Sequence, residues 1–276
     1  MFHRPSWARQ STRLVRDYIE SMARKNFSRI AGVAGLGFAV LILSLNAFLA
    51  PAGLPLPGAE IDEVIAFFST QKGLIGSTSA LAPLTWVTAT VFGAGALIAL
   101  WRSGRGHATA WALVGLAGIL MQNLTFTGVM ATRLALASTP AGHDQAVSGL
   151  WALNEALFIF NGTFLALALV GLSAGGRVAE AIPGWHAWMG YLAAALQFGS
   201  ATLSPLLIDD PQSVGLLGLA GWLLWAAWIA VYGIVLIRLP SVTQRGEPQG
   251  SPTDPGDNPA GGVAAHASAP ARRRSR

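Results

Sequence analysis

The chain has 276 residues, of which 53% are hydrophobic and 11% charged, and its formal net charge is +5. Because soluble domains contain about 25% charged residues, this composition argues against a soluble domain and predicts a protein that lies in the lipid bilayer. The absence of cysteine excludes disulfides, thiol catalysis and cysteine-ligated metals. In a membrane protein the basic balance reports on orientation, so no nucleic-acid partner is predicted.

Residues 1–29 carry seven basic side chains and form the first predicted segment. Their apolar residues recur at helical spacing and would share one face: Trp7, Leu14, Val15, Tyr18 and Met22. A basic amphipathic helix of this kind is typical of segments that lie on an anionic membrane surface, so anionic lipid is a predicted partner. A solvated, partly ordered tail is the alternative, and the pattern does not decide between them.

Six apolar segments follow, and each has at least 20 residues, enough to cross about 30 Å of hydrocarbon. They lie at about residues 30–50, 80–101, 108–132, 148–172, 185–207 and 214–237. The sequence therefore predicts an all-α fold, a six-span transmembrane helix bundle over residues 30–238. In the first span Ala31, Gly35 and Ala39 recur every fourth residue, which predicts a stripe for close helix packing.

Two further segments differ from the spans in length or composition. After the first span, Ile61, Val64, Ile65 and Phe68 recur at helical spacing, with acidic residues around the first turn. This pattern predicts a short helix at the membrane interface, because it cannot cross the bilayer. Residues 239–276 are rich in Pro, Gly, Ser and Ala, a composition that predicts a disordered cytoplasmic tail.

Orientation follows from the basic residues. In the six-span topology, 16 of the 18 Lys and Arg residues fall on the side that carries both termini, and only Lys72 and Arg133 fall on the other. Basic residues mark the cytoplasmic face, so the prediction is a multi-pass cell membrane protein with both termini cytoplasmic. The Ala, Gly and Arg usage is typical of a bacterium with a GC-rich genome.

The loop between the fourth and fifth spans reads AIPGWHAWMG at residues 181–190. Its Ile182, Pro183, Trp185, Trp188 and Gly190 match the pattern I-P-x-W-x-x-W-x-G. In this loop and in the hydropathy profile of residues 28–238, the chain resembles a group of bacterial multi-helix integral membrane proteins of unknown function. The resemblance implies a multi-helix membrane fold and no catalytic residues, since none are assigned in that group.

Glu155 is the one acidic residue predicted to lie well inside a span. A charge at the centre of a transmembrane helix costs roughly 2.5–3.5 kcal/mol on insertion scales, so such a residue is usually paired and marks a candidate site. Arg133, at the end of the third span, lies within reach of it. A buried Glu155–Arg133 pair and a protonated Glu155 bonded to an amide are both open.

Polar residues in the spans are predicted to concentrate between the midplane and the outer surface, while the inner half is almost purely Ala, Leu, Val and Gly. They form either clamps between helices or an outward-opening pocket for an amphipathic or lipid ligand. The Trp stripe of the sixth span would line the same region or simply pack. The candidate ligand-binding residues are Glu155, Asn154, Gln122, Asn123, Gln197, Arg133, Trp222 and Trp225.

No catalytic residue, cofactor or metal site is predicted. The chain lacks H-E-x-x-H, a P-loop and a G-x-S-x-G elbow, and none of its five histidines is expected at mid-membrane depth, which excludes bis-histidine haem there. The leading interpretation is a non-enzymatic membrane component that holds a small amphipathic or lipid ligand or stabilises a partner complex. A small secondary transporter is the alternative, and a membrane enzyme comes third.

Overall fold

The computed structural model describes the backbone of residues 6–206 and 211–239 and the side chains of residues 26–206 and 214–239. Except for residue 239, the predicted disordered tail at 239–276 therefore lies outside the described residues. Within the described ranges the fold is all-α, as predicted, and has these helices: α1 (Ser6–Leu49), α2 (Ile61–Thr70), α3 (Lys72–Trp101), α4 (Gly106–Ser138), α5 (Asp144–Val178), α6 (Gly184–Leu203) and α7 (Pro211–Arg238).

Five of these helices are long and apolar enough to cross a membrane. The segments are Asn26–Leu49 of α1, then α3, α4 and α5, and Val214–Arg238 of α7. The segment predicted as the fifth span corresponds to α6, which has 20 residues and is followed by a 3₁₀ turn at Ser204–Leu206. His186, Gln197 and three glycines lower its hydropathy, and Pro205 disfavours its continuation because proline has no N–H to donate.

Six helices form a closed ring in which each packs against its chain neighbours. The order is α1, α3, α4, α5, α6 and α7, and α7 packs back against α1. Small residues permit close approach at the seams. A methyl group on Gly171 of α5 would overlap the Gly115 backbone of α4, and Ala31 of α1 lies against Gly95 of α3. The predicted stripe of small residues on α1 therefore packs against α3.

Helix α1 is one uninterrupted helix of 44 residues. The sequence predicted a basic amphipathic segment to residue 29 and a separate span from residue 30, and no break separates the two. No helix-breaking proline or glycine pair lies near residue 30, so nothing local ends the helix there. Contact of residues 6–29 with a membrane surface stays a prediction.

Helix α2 confirms the predicted short helix. Its ten residues span about 15 Å, which is half of a hydrocarbon core. Val64, Phe67 and Phe68 are buried in one cluster with residues near the ends of α1, α3, α4 and α5, namely Leu49, Ile75, Leu136, Ala137, Val147 and Trp151. We call this end of the ring the α2 end, and the opposite end, with Arg102, Arg105, Arg177 and Arg238, the basic end.

Candidate functional site

Some of the predicted polar residues join neighbouring helices. Thr132 of α4 donates to Asn154 Oδ1 of α5 at 3.1 Å. Gln197 Nε2 of α6 donates to the Gly218 carbonyl of α7, also at 3.1 Å. These bonds satisfy buried polar groups at helix seams, which favours the clamp interpretation for Asn154 and Gln197.

Asn123 lies at a groove between α3 and α4. Its Nδ2 donates to the Trp86 carbonyl at 3.2 Å and to Thr90 Oγ1 at 3.1 Å. The Asn123 Oδ1 and the Trp86 indole N–H are buried and have no hydrogen-bond partner. The groove has a volume of about 370 Å³. Its walls are mostly apolar: the exposed Val87, Leu120 and Leu124, and the partly buried Val91. Asn123 and Trp86 are among the residues that line this groove, so an apolar groove lies beside one unsatisfied acceptor and one unsatisfied donor.

Gln122 is the chain neighbour of Asn123 but faces the interior of the ring. With Trp225 and Phe92 it lines a closed cavity of about 10 Å³, room for about one water molecule. Successive residues of a helix point about 100° apart, which places the two amides in different spaces. Trp222 packs beside Trp225 with ring centroids 6.4 Å apart. Gln122 and Trp225 thus meet, whereas Asn123 stands apart from them.

Glu155 and Arg133 do not form the ion pair considered above. The Glu155 Oε1 accepts a bond from the Gly58 backbone N–H at 2.6 Å. The ion pair that the described residues do form, with nitrogen and oxygen 4.0 Å or less apart, joins Arg105 and Glu180. Arg133 is 8% exposed, and its Nε has no hydrogen-bond partner. The loop before α2 reaches α5, where its Gly58 N–H binds the Glu155 carboxylate. Helix spacing alone does not predict this contact.

A buried polar cluster near the basic end was missed by sequence reasoning. His186 of α6 is 0% exposed, and its ring stacks on Trp228 with centroids 5.5 Å apart. Its Nε2 lies 3.0 Å from the Trp228 carbonyl, which only accepts, so Nε2 is the protonated nitrogen. Nδ1, Ser173 Oγ and the Trp228 indole N–H have no partner. The prediction that the inner half holds almost only apolar and glycine residues is therefore wrong.

The aromatic residues of α7 form the wall of this cluster. Trp228 and Tyr232 are fully buried and lie edge-on to Phe92. The Tyr232 hydroxyl reaches the Leu172 carbonyl at 3.5 Å. These contacts favour packing as the role of the α7 stripe. The spacing of His186, Gly190 and Gln197, which places them on one helical face, is the signal that points to a buried face of α6.

The loop motif has a physical account in the structure. Pro183 is the N-cap residue of α6 and Ile182 is buried. Trp185 and Trp188 are 60% and 72% exposed, as expected for indoles that face lipid headgroups. Gly190 lies against Ser173 and Trp228. The motif thus combines a helix start, two surface anchors and one close packing contact.

The described residues contain no group of three or more His, Asp or Glu side chains that could hold a metal ion. No family model, curated protein or solved structure matches the chain. Membership of the group that the loop motif resembles therefore stays a prediction. Three locations remain as candidate sites: the α3/α4 groove, the buried Arg133, and the His186 cluster.

Proposed function

We propose that the chain is a six-span, non-enzymatic protein of the bacterial cytoplasmic membrane that holds an amphipathic molecule in the α3/α4 groove. The observation that carries this proposal is the pairing of an apolar groove with two buried polar atoms that lack partners, Asn123 Oδ1 and Trp86 Nε1. Buried polar atoms in proteins almost always have a partner, so an unsatisfied pair at an open groove favours a ligand.

The packing of α6 within the ring supports its interpretation as a span, which brings the number of crossings to six. Helix α6 lies between α5 and α7 and packs against both along its length: Gly190 contacts Ser173 and Trp228, and Gln197 contacts Gly162 and Gly218. Twenty residues correspond to about 30 Å at a rise of 1.5 Å per residue. With six crossings, both termini would lie on the side of the basic end. The distribution of Lys and Arg supports the cytoplasm as that side.

The two unsatisfied atoms indicate the chemistry of the ligand. The Asn123 Oδ1 only accepts hydrogen bonds, and the Trp86 indole only donates one. A hydroxyl or a neutral amide offers both complements, whereas a carboxylate would face the Asn123 oxygen unfavourably. The walls Val87, Leu120 and Leu124 suit an acyl chain or another apolar skeleton. We therefore infer a neutral hydroxyl- or amide-bearing amphipath as the ligand class.

The test uses the full chain in detergent and a long-chain alcohol with a bromine on its chain, which quenches nearby tryptophans. Saturable quenching is expected in the wild type. Asn123→Leu should raise the dissociation constant on the order of fivefold, because one buried hydrogen bond is lost. Thr125→Val is the matched control, since Thr125 bonds its own helix at the Met121 carbonyl and does not line the groove. Equal binding by both variants, or quenching without saturation, would refute the proposal.

A further inference from the structure

Arg133 is a buried cation without a counter-charge in hydrogen-bonding range. It is 8% exposed, its Nε has no partner, and no described acid lies within 4.0 Å of its guanidinium. Glu155, the counter-charge considered in the sequence analysis, has its Oε1 bound by the Gly58 N–H. A buried charge is strongly unfavourable unless it is paired and hydrogen-bonded. The arginine therefore calls for an acceptor from outside the described chain.

Ser79 of α3 lies at the level of Arg133. Two apolar clusters indicate the register of antiparallel α3 and α4: one contains Ala82 and Val129, and the other contains Ile75 and Leu136. Ser79 lies between Ile75 and Ala82 on α3, and Arg133 lies between Val129 and Leu136 on α4. The Ser79 hydroxyl is buried and has no partner.

Trp151 of α5 supplies a third group at this level. It belongs to the same cluster as Leu136, one turn from Arg133 on α4. The bond between Thr132 and Asn154 fixes the register of α4 against α5 at this point. The Trp151 indole N–H is buried and has no partner, while its ring packs 6.2 Å from that of Phe68 of α2.

We propose that Arg133, Ser79 and Trp151 bind an oxyanion, the carboxylate or phosphate of a free solute or of a lipid headgroup. All three can donate a hydrogen bond, two of them can only donate, and Arg133 adds a positive charge. An oxyanion offers several acceptor lone pairs and the missing negative charge, and its bonds to an arginine are among the stronger ones in proteins. This inference does not rest on the α3/α4 groove, because the two sites share no residue.

The test measures thermal unfolding of the full, delipidated chain in neutral detergent. Sodium phosphate is compared with sodium chloride at equal ionic strength, and phosphatidylglycerol with phosphatidylcholine in mixed micelles. The wild type should gain a saturable rise in Tm from phosphate, from phosphatidylglycerol, or from both. A response to phosphate indicates a site open to a free anion. A response to phosphatidylglycerol alone indicates a lipid headgroup site.

The variants separate this site from general surface charge. Arg133→Met should lose the anion response, whereas the exposed Arg177→Gln should keep it. Trp151→Phe preserves the aromatic ring and removes the N–H, so it should raise the half-saturating anion concentration on the order of tenfold. This second variant keeps the test decisive if Arg133→Met does not fold.

An anion response that is absent from the wild type overturns the proposal. So does an equal response in Arg133→Met, because the anion would then act on another surface. An unchanged half-saturating concentration in Trp151→Phe would remove that residue from the site and with it the three-donor arrangement on which the proposal stands.

Discussion

The two ends of the helix ring each bury polar groups, but the groups differ in kind. At the basic end, Ser173 and Trp228 both lie against Gly190, and His186 stacks on Trp228. Their unsatisfied atoms are two donors, Ser173 Oγ and Trp228 Nε1, and one acceptor, His186 Nδ1. At the α2 end, Arg133 and Trp151 can only donate, Arg133 adds a positive charge, and the Ser79 hydroxyl is the one group of the three that can also accept. The first set is self-complementary, so one water molecule or a small rotation satisfies it. The second set contains no negative charge to balance Arg133, which is why the α2 end carries the ligand inference and the basic end does not.

The largest expected effect is on reporter signals that show which end of the helix ring faces the cytoplasm. Reporter fusions at Ser241 and near His143 should give opposite signals, with the Ser241 fusion cytoplasmic, because basic residues are retained on that side. A cytoplasmic signal at both positions would contradict six crossings. It would also remove the distinction between an inner basic end and an outer α2 end.

The next prediction tests the basic end, where the buried donors and the acceptor can satisfy one another. His186→Ala should destabilise the chain by about 3 kcal/mol, because it empties a fully buried site beside Trp228. Added phosphate should not restore this loss, since no anion belongs there. The check is thermal unfolding of the variant with and without phosphate. Recovery by phosphate would show that the basic end also binds anions.

A smaller loss is expected at the glycine contact of the same cluster. A methyl group at Gly190 would overlap Ser173 Oγ and lie 2.6 Å from the Trp228 indole nitrogen. Gly190→Ala should therefore cost about 2 kcal/mol by overpacking. The double variant with Ser173→Ala should recover part of that loss in a denaturation series. Additive losses would mean that the overlap is relieved elsewhere.

The smallest expected effect lies at the α2 end. Glu155→Gln keeps an oxygen that accepts from the Gly58 N–H, so the fold should change little. The coupling free energy between Glu155→Gln and Arg133→Gln should lie below about 0.5 kcal/mol, as for residues that share no contact. A double-mutant cycle of thermal unfolding measures it. A large coupling free energy would instead indicate a direct Glu155–Arg133 ion pair, and Arg133 would then need no outside anion.

Hydropathy predicted most of the helices because it depends only on runs of apolar residues. The short helix α2 followed from the spacing of Val64 and Phe68. The face of each polar residue was harder to predict. Gln122 and Asn123 are adjacent in sequence, yet one faces the ring interior and the other a groove, and that depends on which helices flank α4. No local pattern contains this information.

The partners of the two charged candidates could not be predicted for a related reason. The Gly58 N–H reaches Glu155 across 97 residues of chain, through a loop whose path depends on where α2 docks. The sequence predicted only that His186 lies away from mid-membrane depth, where the loop motif and the fifth span overlap; α6 begins at Gly184 and buries it at once. The observed sites differ from the expected ones because their contacts come from long-range packing and not from local spacing.

The central claim is that the bundle holds an amphipathic ligand at Asn123 and Trp86. Native mass spectrometry of the full chain, released from the membranes in which it is made, measures this most directly. The account predicts a retained molecule with an apolar skeleton and a neutral hydroxyl or amide group, present on the wild type and Thr125→Val and depleted on Asn123→Leu. A wild type that carries no such molecule, or an Asn123→Leu variant that retains it to the same extent, would contradict the claim.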